Sequence, residues 1–387
     1  MSNVKRQFFV YPTMMVLAMY STVLGLMVPE IRDAFSFTYA QVGVLSTLQS
    51  VGMLVSLILC FGVFSAFNAI KVSTIAVVAF SGLMIWLGYN TNVVLLYFLF
   101  LMIGFFLNTI DALSNTVISM TAKTHINFYL GLLHALWALA GVTGPFLALA
   151  LGGNYTPAFL WLGIIMALAA VLYVFGLLPY LKMPMIQNKN NFGGLGKLWK
   201  LIRKKGMFTL VAINFFSCLT MNTFIYYISS YVKTASDDKL SGAIMLSSMF
   251  LGLLIGRLIF SKFVERIPIL KTMAITNALA VVAFGLMLVA KSPALVAVFA
   301  GVGSMLIGAN FPALVIESHK IVPHDVSAAS SLIYFGLVMA LFVGPAAIGA
   351  IGDAVTLQIG LLINAAMLVP VVVLAAIWSK HFDSPNS

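Results

Sequence analysis

A chain of 387 residues that is 62% hydrophobic and only 8% charged is not a soluble domain, in which about 25% of residues are charged. A net charge of +11 would suit a nucleic-acid partner if it formed one face, but here the basic residues follow alternate loops. Unbroken apolar runs of about 20 residues, rather than alternating segments of about ten, exclude a barrel and require membrane-spanning helices.

Twelve spans are expected, near 8–28, 41–63, 72–90, 93–120, 128–151, 157–180, 207–231, 241–263, 270–290, 293–318, 327–351 and 354–378. Lys5 and Arg6 precede a first run of full membrane length without a small-residue cleavage site, so no cleavable signal peptide is expected. Seventeen basic residues fall on one side of this arrangement, among them Lys71, Lys123, Lys200, Arg203, Lys262, Arg266, Lys271 and Lys320, and four (Arg32, Lys233, Lys239, Lys291) on the other. By the positive-inside rule both termini are cytoplasmic, in a membrane expected to be the bacterial cytoplasmic one. Cys60 and Cys218 lie in apolar runs and read as packing residues. No metal-ligand cluster, P-loop or nucleophile elbow is present, so neither an enzyme nor a cofactor is expected.

The fourth span carries "LNTIDALSN" (107–115). A charge at the centre of a membrane helix costs about 2.5–3.5 kcal/mol on insertion scales, which makes Asp111 a functional candidate. Gly104, Asn108, Asp111, Asn115 and Ser119 share an arc of about 80°, so the stripe faces a wet cavity or another helix. Asp111 stands about 18 Å from Lys123 along the helix, near mid-membrane. It is the expected proton-coupling group, because a carboxyl in an alternating cavity can exchange charged and neutral forms. A plain hydrogen bond to a neighbouring helix is the structural alternative.

In the fifth span His134, Trp137, Gly141 and Gly144 share a face, with His134 at a depth similar to Asp111. His134 is a second candidate for proton coupling and for solute contact, and Trp137 offers an indole N–H and a flat ring to a solute; packing is the duller reading of both. The stretch 181–206 reads as a linker whose end, Leu195 to Lys205, forms a short basic amphipathic helix on the inner leaflet. In the second half Asn214, Asn222, Tyr226, Asn310 and Tyr334 are candidate solute contacts, with Tyr227 and Asn364 as further polar groups. Arg257 and Glu317 are candidate gate residues, and an interfacial cluster with His319 and Lys320 is the bland alternative for Glu317.

Compared with itself at a shift of 200 residues, the chain aligns Gly52 with Gly252, Lys71 with Lys271, Gly144-Pro145 with Gly344-Pro345, and Gly152 with Gly352. Six spans thus repeat as six spans: an N-terminal bundle (1–181), a cytoplasmic linker (182–206) and a C-terminal bundle (207–387). The fold expected is an all-α membrane protein with twelve transmembrane helices in two pseudo-symmetric six-helix bundles.

This layout resembles the major facilitator superfamily of transporters, and "GLLIGRLIFSKFVERIPILK" (252–271) is similar to that family's loop signature. Its counterpart at 52–71 lacks the acid and most of the basic residues. Asp111 with Asn115, and His134 running to Gly144-Pro145, resemble the fucose–galactose–glucose proton symporter branch. "GVGSMLIGANFPALVIE" (301–317) resembles that branch's small-residue run before Phe-Pro. Fucose permease also has an acid in its first helix; here the first span has none before Glu30. The resemblance implies proton-coupled symport of a small polar organic solute such as a hexose by alternating access, with sodium as the other coupling ion to consider. Partners are then the solute, protons and the lipid bilayer, with no nucleic acid, and a monomer is expected. Two alternatives stand beside it: proton-antiport export of amphipathic compounds, suited by 30 Phe and 21 Met, and a non-transporting receptor on a transporter fold.

Overall fold

The computed structural model describes residues 6–61, 67–122, 125–182, 199–235, 238–264 and 266–382. The regular structure among the described residues is helical, with no strand. Among the described residues the main helices are, in order, α1 (Tyr11–Ala34), α2 (Tyr39–Phe61), α3 (Ala69–Tyr89), α4 (Val93–Thr121), α5 (Ile126–Ala150), α6 (Tyr155–Leu177), α7 (Met207–Ala235), α8 (Lys239–Phe263), α9 (Ile269–Val289), α10 (Pro293–Ile307), α11 (Asn310–Ile321), α12 (Val326–Ala354), α13 (Leu357–Ala366) and α14 (Leu368–Phe382). Among the described residues there are twelve stretches long and apolar enough to cross a bilayer, the number expected. The tenth is α10 and α11, interrupted at Gly308 and Ala309; the twelfth is α13 and α14, interrupted at Met367.

The short polar loops end these helices by chemistry. Asn68 accepts from the amides of Ile70 and Lys71, Asn92 from Leu95, Asp325 from Ala328, and Thr356 from Ile359. Each side chain thereby satisfies an amide that has no partner in its own helix. Asp238 caps α8 in the same way. The Ser241 hydroxyl and the amides of Leu240 and Ser241 hold its carboxyl below the usual carboxylate range. The first helix runs to Ala34, well past the expected end near residue 28, because Pro29 lies inside it without ending it.

The helices form two compact units, one of Met1–Glu30 with Leu48–Leu195, the other of Ile31–Thr47 with Gly196–Ser387. In the first unit α3 lies against α6. The Ser81 hydroxyl donates to the Gly163 carbonyl (2.9 Å), and the Tyr155 hydroxyl to that of Leu87 (2.6 Å). In the second, α7 is joined to α13 by a reciprocal pair: the Thr220 hydroxyl donates to the Asn364 carbonyl and the Asn364 amide to that of Thr220, both at 3.0 Å. Phe224 and Phe284 stack with centroids 4.6 Å apart. Of the expected basic amphipathic helix, residues 199–202 are helical, and the Arg203 guanidinium lies 4.7 Å from the exposed Trp199 ring; residues 183–198 lie outside the described set.

The duplication reappears as geometry inside each unit. A Cβ on Gly52 would collide with the carbonyl of Leu101 and come within 2.7 Å of the Phe105 nitrogen. One on Gly252 would collide with the carbonyl of Gly301 and lie 3.0 Å from the Met305 nitrogen. The same contact is made by residues displaced by 200 on both sides. A similar approach recurs at Gly144, which meets Thr22 Oγ1 (2.5 Å), and at Gly344, which meets Thr223 Oγ1 (2.6 Å), the partner threonine there shifted by one further residue. Membrane helices associate by close backbone approach, which small residues permit.

Replacing Gly252 by Leu places a side chain where α10 backbone stands. A loss of about 3 kcal/mol or more is expected, read as a lower melting temperature and a smaller monodisperse fraction of the purified protein.

Candidate solute and coupling site

In the first unit Asp111 is half-buried within α4. It lies well round the helix from the strongly exposed run of Val94 (77%) and Phe98 (50%), which marks the bilayer face. No hydrogen-bond donor or cation among the described residues engages its carboxylate. The rest of its stripe divides by contact. Gly104 faces the backbone of Gln49 on α2. Asn108 is buried, and its amide donates to Ser56 Oγ (3.0 Å), which is paired in turn with Thr109 Oγ1 (2.7 Å). Asn108, expected to line a pocket, is therefore committed to the α2–α4 contact. Asn115 is half-buried and donates to the Asp111 carbonyl one turn back (3.2 Å). The Ser119 side chain lies outside the described set.

On α5 the bilayer face is marked by Phe128, Leu139 and Phe146, exposed by 64%, 47% and 43%. At 100° per residue, His134 lies roughly 120° from that face. It is nonetheless exposed, as a side chain bordering a wet cavity would be. Trp137 is half-buried on the same side of the helix.

In the second unit several expected pocket residues are taken up by packing. Asn214 is fully buried; its amide donates to the Ile333 carbonyl (2.7 Å) and its oxygen accepts from the Cys218 thiol (3.4 Å). Asn310 donates to Ser217 Oγ (2.7 Å) and to Asn277 Oδ1 (2.9 Å), and accepts from the Asn277 amide (3.2 Å). Asn222 is half-buried and donates to the Cys218 carbonyl (2.8 Å), and Tyr334 is half-buried on α12.

Of the expected gate pair, Arg257 lies inside α8. Its Nε donates to the Gly308 carbonyl (3.3 Å) where the tenth span breaks. Helical side chains lean toward the N-terminus, which carries the guanidinium away from the basic end of α8 toward mid-span. Glu317 is fully buried with Lys320 Nζ 2.8 Å away, one turn along α11, while His319 Nε2 meets Ser330 Oγ of α12 (2.8 Å).

Sequence reasoning missed a clasp in the second unit, built by residues 31–47 on α7 and α12. Thr38 and Gln41 form a capping box at the start of α2: the Thr38 amide donates to Gln41 Oε1 (2.9 Å) and the Gln41 amide to Thr38 Oγ1 (3.3 Å). Asp353, at the end of α12, then accepts from the amides of Tyr39 and Ala40, one carboxylate oxygen to each at 2.8 Å. A carboxylate at a helix N-terminus is favoured by the unpaired amides and by the dipole.

Further along, the Ser46 and Thr47 hydroxyls donate to the carbonyls of Leu341 (2.9 Å) and Phe342 (2.7 Å). The Leu341 carbonyl would take the amide of residue 345, but that residue is proline and has no N–H. Tyr226, expected to touch solute, instead donates to the Val42 carbonyl (2.7 Å), and Tyr227 to those of Tyr39 (2.7 Å) and Pro345 (2.9 Å). Gly43 permits the crossing, since a Cβ there would stand 2.6 Å from the Pro345 oxygen. Outside the crossing, Lys233 pairs with Asp33 at 2.8 Å; both are partly exposed, so the bridge contributes little by itself. The signal available in sequence was Pro345, since a proline inside a helix frees the carbonyl four residues before it.

A family model described as Major Facilitator Superfamily matches residues 10–320. No curated protein matches the sequence. Among solved structures, a mutant of the nucleoside transporter NupG is similar over 98% of this chain and 100% of its own, with 16% identity and a TM-score of 0.80. A bacterial homolog of the human lysosomal transporter Spinster, in an inward-facing and unoccupied conformation, covers 100% of both chains with 13% identity and a TM-score of 0.74. A mutant of the peptide transporter POT covers 97% of this chain and 94% of its own, with 12% identity and a TM-score of 0.75. At these identities the likeness is one of fold.

Replacing Asp353 by Ala removes both acceptors from the first turn of α2. A loss of about 1 kcal/mol is expected for such a cap, which makes amide exchange at Tyr39 and Ala40 roughly fivefold faster. Unchanged exchange would mean that the Thr38–Gln41 box holds the turn alone.

Proposed function

The chain belongs to the Major Facilitator Superfamily and is a transporter, not an enzyme; we propose that it is a secondary active transporter that couples proton movement to the symport of a small polar organic solute by alternating access. The observation that supports this most is Asp111. A carboxylate within a membrane span, turned away from the bilayer face and engaged by no donor among the described residues, is placed to be solvated by water or by solute. Intramembrane acids are retained for ion pathways, proton relays and substrate contact. Protonation would remove its charge and change which solute and which state it favours, and that differential is all a coupling group requires.

His134 and Trp137, with Asn115 beside the acid, are the first-half groups proposed to meet the solute. Asn222 and Tyr334 are their proposed counterparts in the second half, with Arg257 held at the break in the tenth span. Discontinuous helices recur at the binding sites of secondary transporters, because the interrupted turns release backbone groups there. The clasp of residues 31–47 is proposed as the outer closure, which must release and re-form once in each cycle. Hexoses are the first solutes to try, and nucleosides and peptides enter because structural neighbours carry those names.

The test begins with a thermal-shift screen of the purified protein against hexoses, sugar acids, nucleosides, short peptides and lipophilic cations at two pH values, since a ligand that binds the folded form raises its melting temperature. Uptake of the best ligand into proteoliposomes then follows, with and without an imposed pH gradient. Wild type is expected to accumulate solute with the gradient. Asp111→Asn is expected to lose that accumulation by at least about tenfold while keeping the ligand-induced thermal shift, because a step of that size is only 1.4 kcal/mol. Undiminished accumulation by Asp111→Asn removes the residue from the mechanism, and a response to lipophilic cations alone favours export.

A further inference from the structure

Apart from the residues proposed for transport, the second unit contains a cavity of about 290 Å³ between α8, α9 and the interrupted tenth span. Ile259, Phe260, Phe263, Met273, Leu306 and Ala313 supply much of its wall. Two of its polar lining groups are already satisfied by protein. The Thr276 hydroxyl donates to the Met273 carbonyl (3.3 Å), and the Asn310 amide is consumed by Ser217 and Asn277. The cavity therefore offers a polar solute little, and an apolar chain a great deal. Ile259 and Phe263 at its edge are exposed by 50% and 41% on the outer face of α8, so the mouth opens toward lipid.

The cavity also has a direction. Its lining on α9 begins at Ile269, the first residue of that helix, and reaches Thr276, about 10 Å deeper at the helical rise. It thus runs inward from the end of the helices where basic residues gather. At that end Lys262, Arg266 and Lys271 are all exposed, three basic residues against the single acid of the stretch, Glu265. The Lys262 ammonium lies 5.7 Å from the Phe263 ring centroid, at the rim of the mouth. An apolar slot beneath a basic rim fits one ligand chemistry in a bilayer, an acyl chain below an anionic headgroup.

We propose that this cavity binds a phospholipid of the basic-side leaflet, with one acyl chain between α8 and α9 and an anionic headgroup against Lys262, Arg266 and Lys271. The contact would brace the interrupted tenth span from its lipid side.

The test uses the purified full chain, delipidated in detergent and titrated with dioleoylphosphatidylglycerol or dioleoylphosphatidylcholine, which share acyl chains and differ in headgroup charge. Retained lipid is read by native mass spectrometry and stability by melting temperature. Phosphatidylglycerol is expected to be retained about tenfold more tightly, a preference of 1.4 kcal/mol, and to raise the melting temperature more. The surface variant Lys262→Gln/Arg266→Gln/Lys271→Gln, which leaves the helix contacts intact, is expected to lose the preference. Ala309→Phe, which fills the cavity, is expected to lose retention of both lipids. Equal retention of the two lipids by wild type, or a preference that survives the triple substitution, overturns the proposal. Stabilisation by tetraphenylphosphonium with none by phosphatidylglycerol overturns it in favour of a pocket for lipophilic cations.

Discussion

Within a bilayer a backbone carbonyl that loses its helical partner has no water to turn to, and each such group costs several kcal/mol if left bare. Much of the irregular structure in this protein follows from that constraint. Pro345 removes one amide from α12, and the Ser46 hydroxyl takes the carbonyl of Leu341 in its place. The tenth span breaks at Gly308, and Arg257 takes the exposed carbonyl. At the exposed start of α2, where water is at hand, Asp353 still accepts from two unpaired amides of the first turn. In each case a defect in one helix is satisfied by a side chain of another, so the defects mark where helices are held together by more than packing.

The other contacts depend on how close two helices can come. Gly52 on α2 and Gly252 on α8 let carbonyls of the neighbouring helix occupy the space a side chain would need. Because these contacts recur at a displacement of 200 residues, the two six-helix halves share an inner scaffold, while their polar groups have diverged. Phe311 stands at the position equivalent to Asp111, and Tyr334 at that equivalent to His134. The first half holds Asp111, whose carboxylate no donor among the described residues engages; the second half holds Arg257 and both interrupted spans.

The spans, their number and the duplication were legible because each rests on local composition: apolar runs of helical length, polar caps and glycines in register. Asp111 stands out as an acid inside a span for the same reason, as a charge in an apolar run advertises itself. What sequence could not supply was which neighbour each polar group meets. Asn108, Asn214, Asn310 and Tyr226 all lie on helix faces that periodicity marks as inward, and each is absorbed by a helix contact rather than left open to a cavity. Inward-facing is a property of one helix; being occupied is a property of two. The clasp was missed for the same cause, since Ser46, Thr47 and Asp353 are unremarkable until their distant carbonyl and amide partners are known.

The segment that makes the clasp leaves the first unit after Glu30 and returns to it at Leu48, so it is tethered at both ends. When its bonds to α7 and α12 break, it cannot diffuse away, and rejoining is an intramolecular event governed by a high effective concentration. Many individually modest hydrogen bonds can then be surrendered together and recovered quickly, which suits the closing role proposed for the segment. Pro29 lies inside α1 just before this segment begins, and proline is where a helix bends most readily.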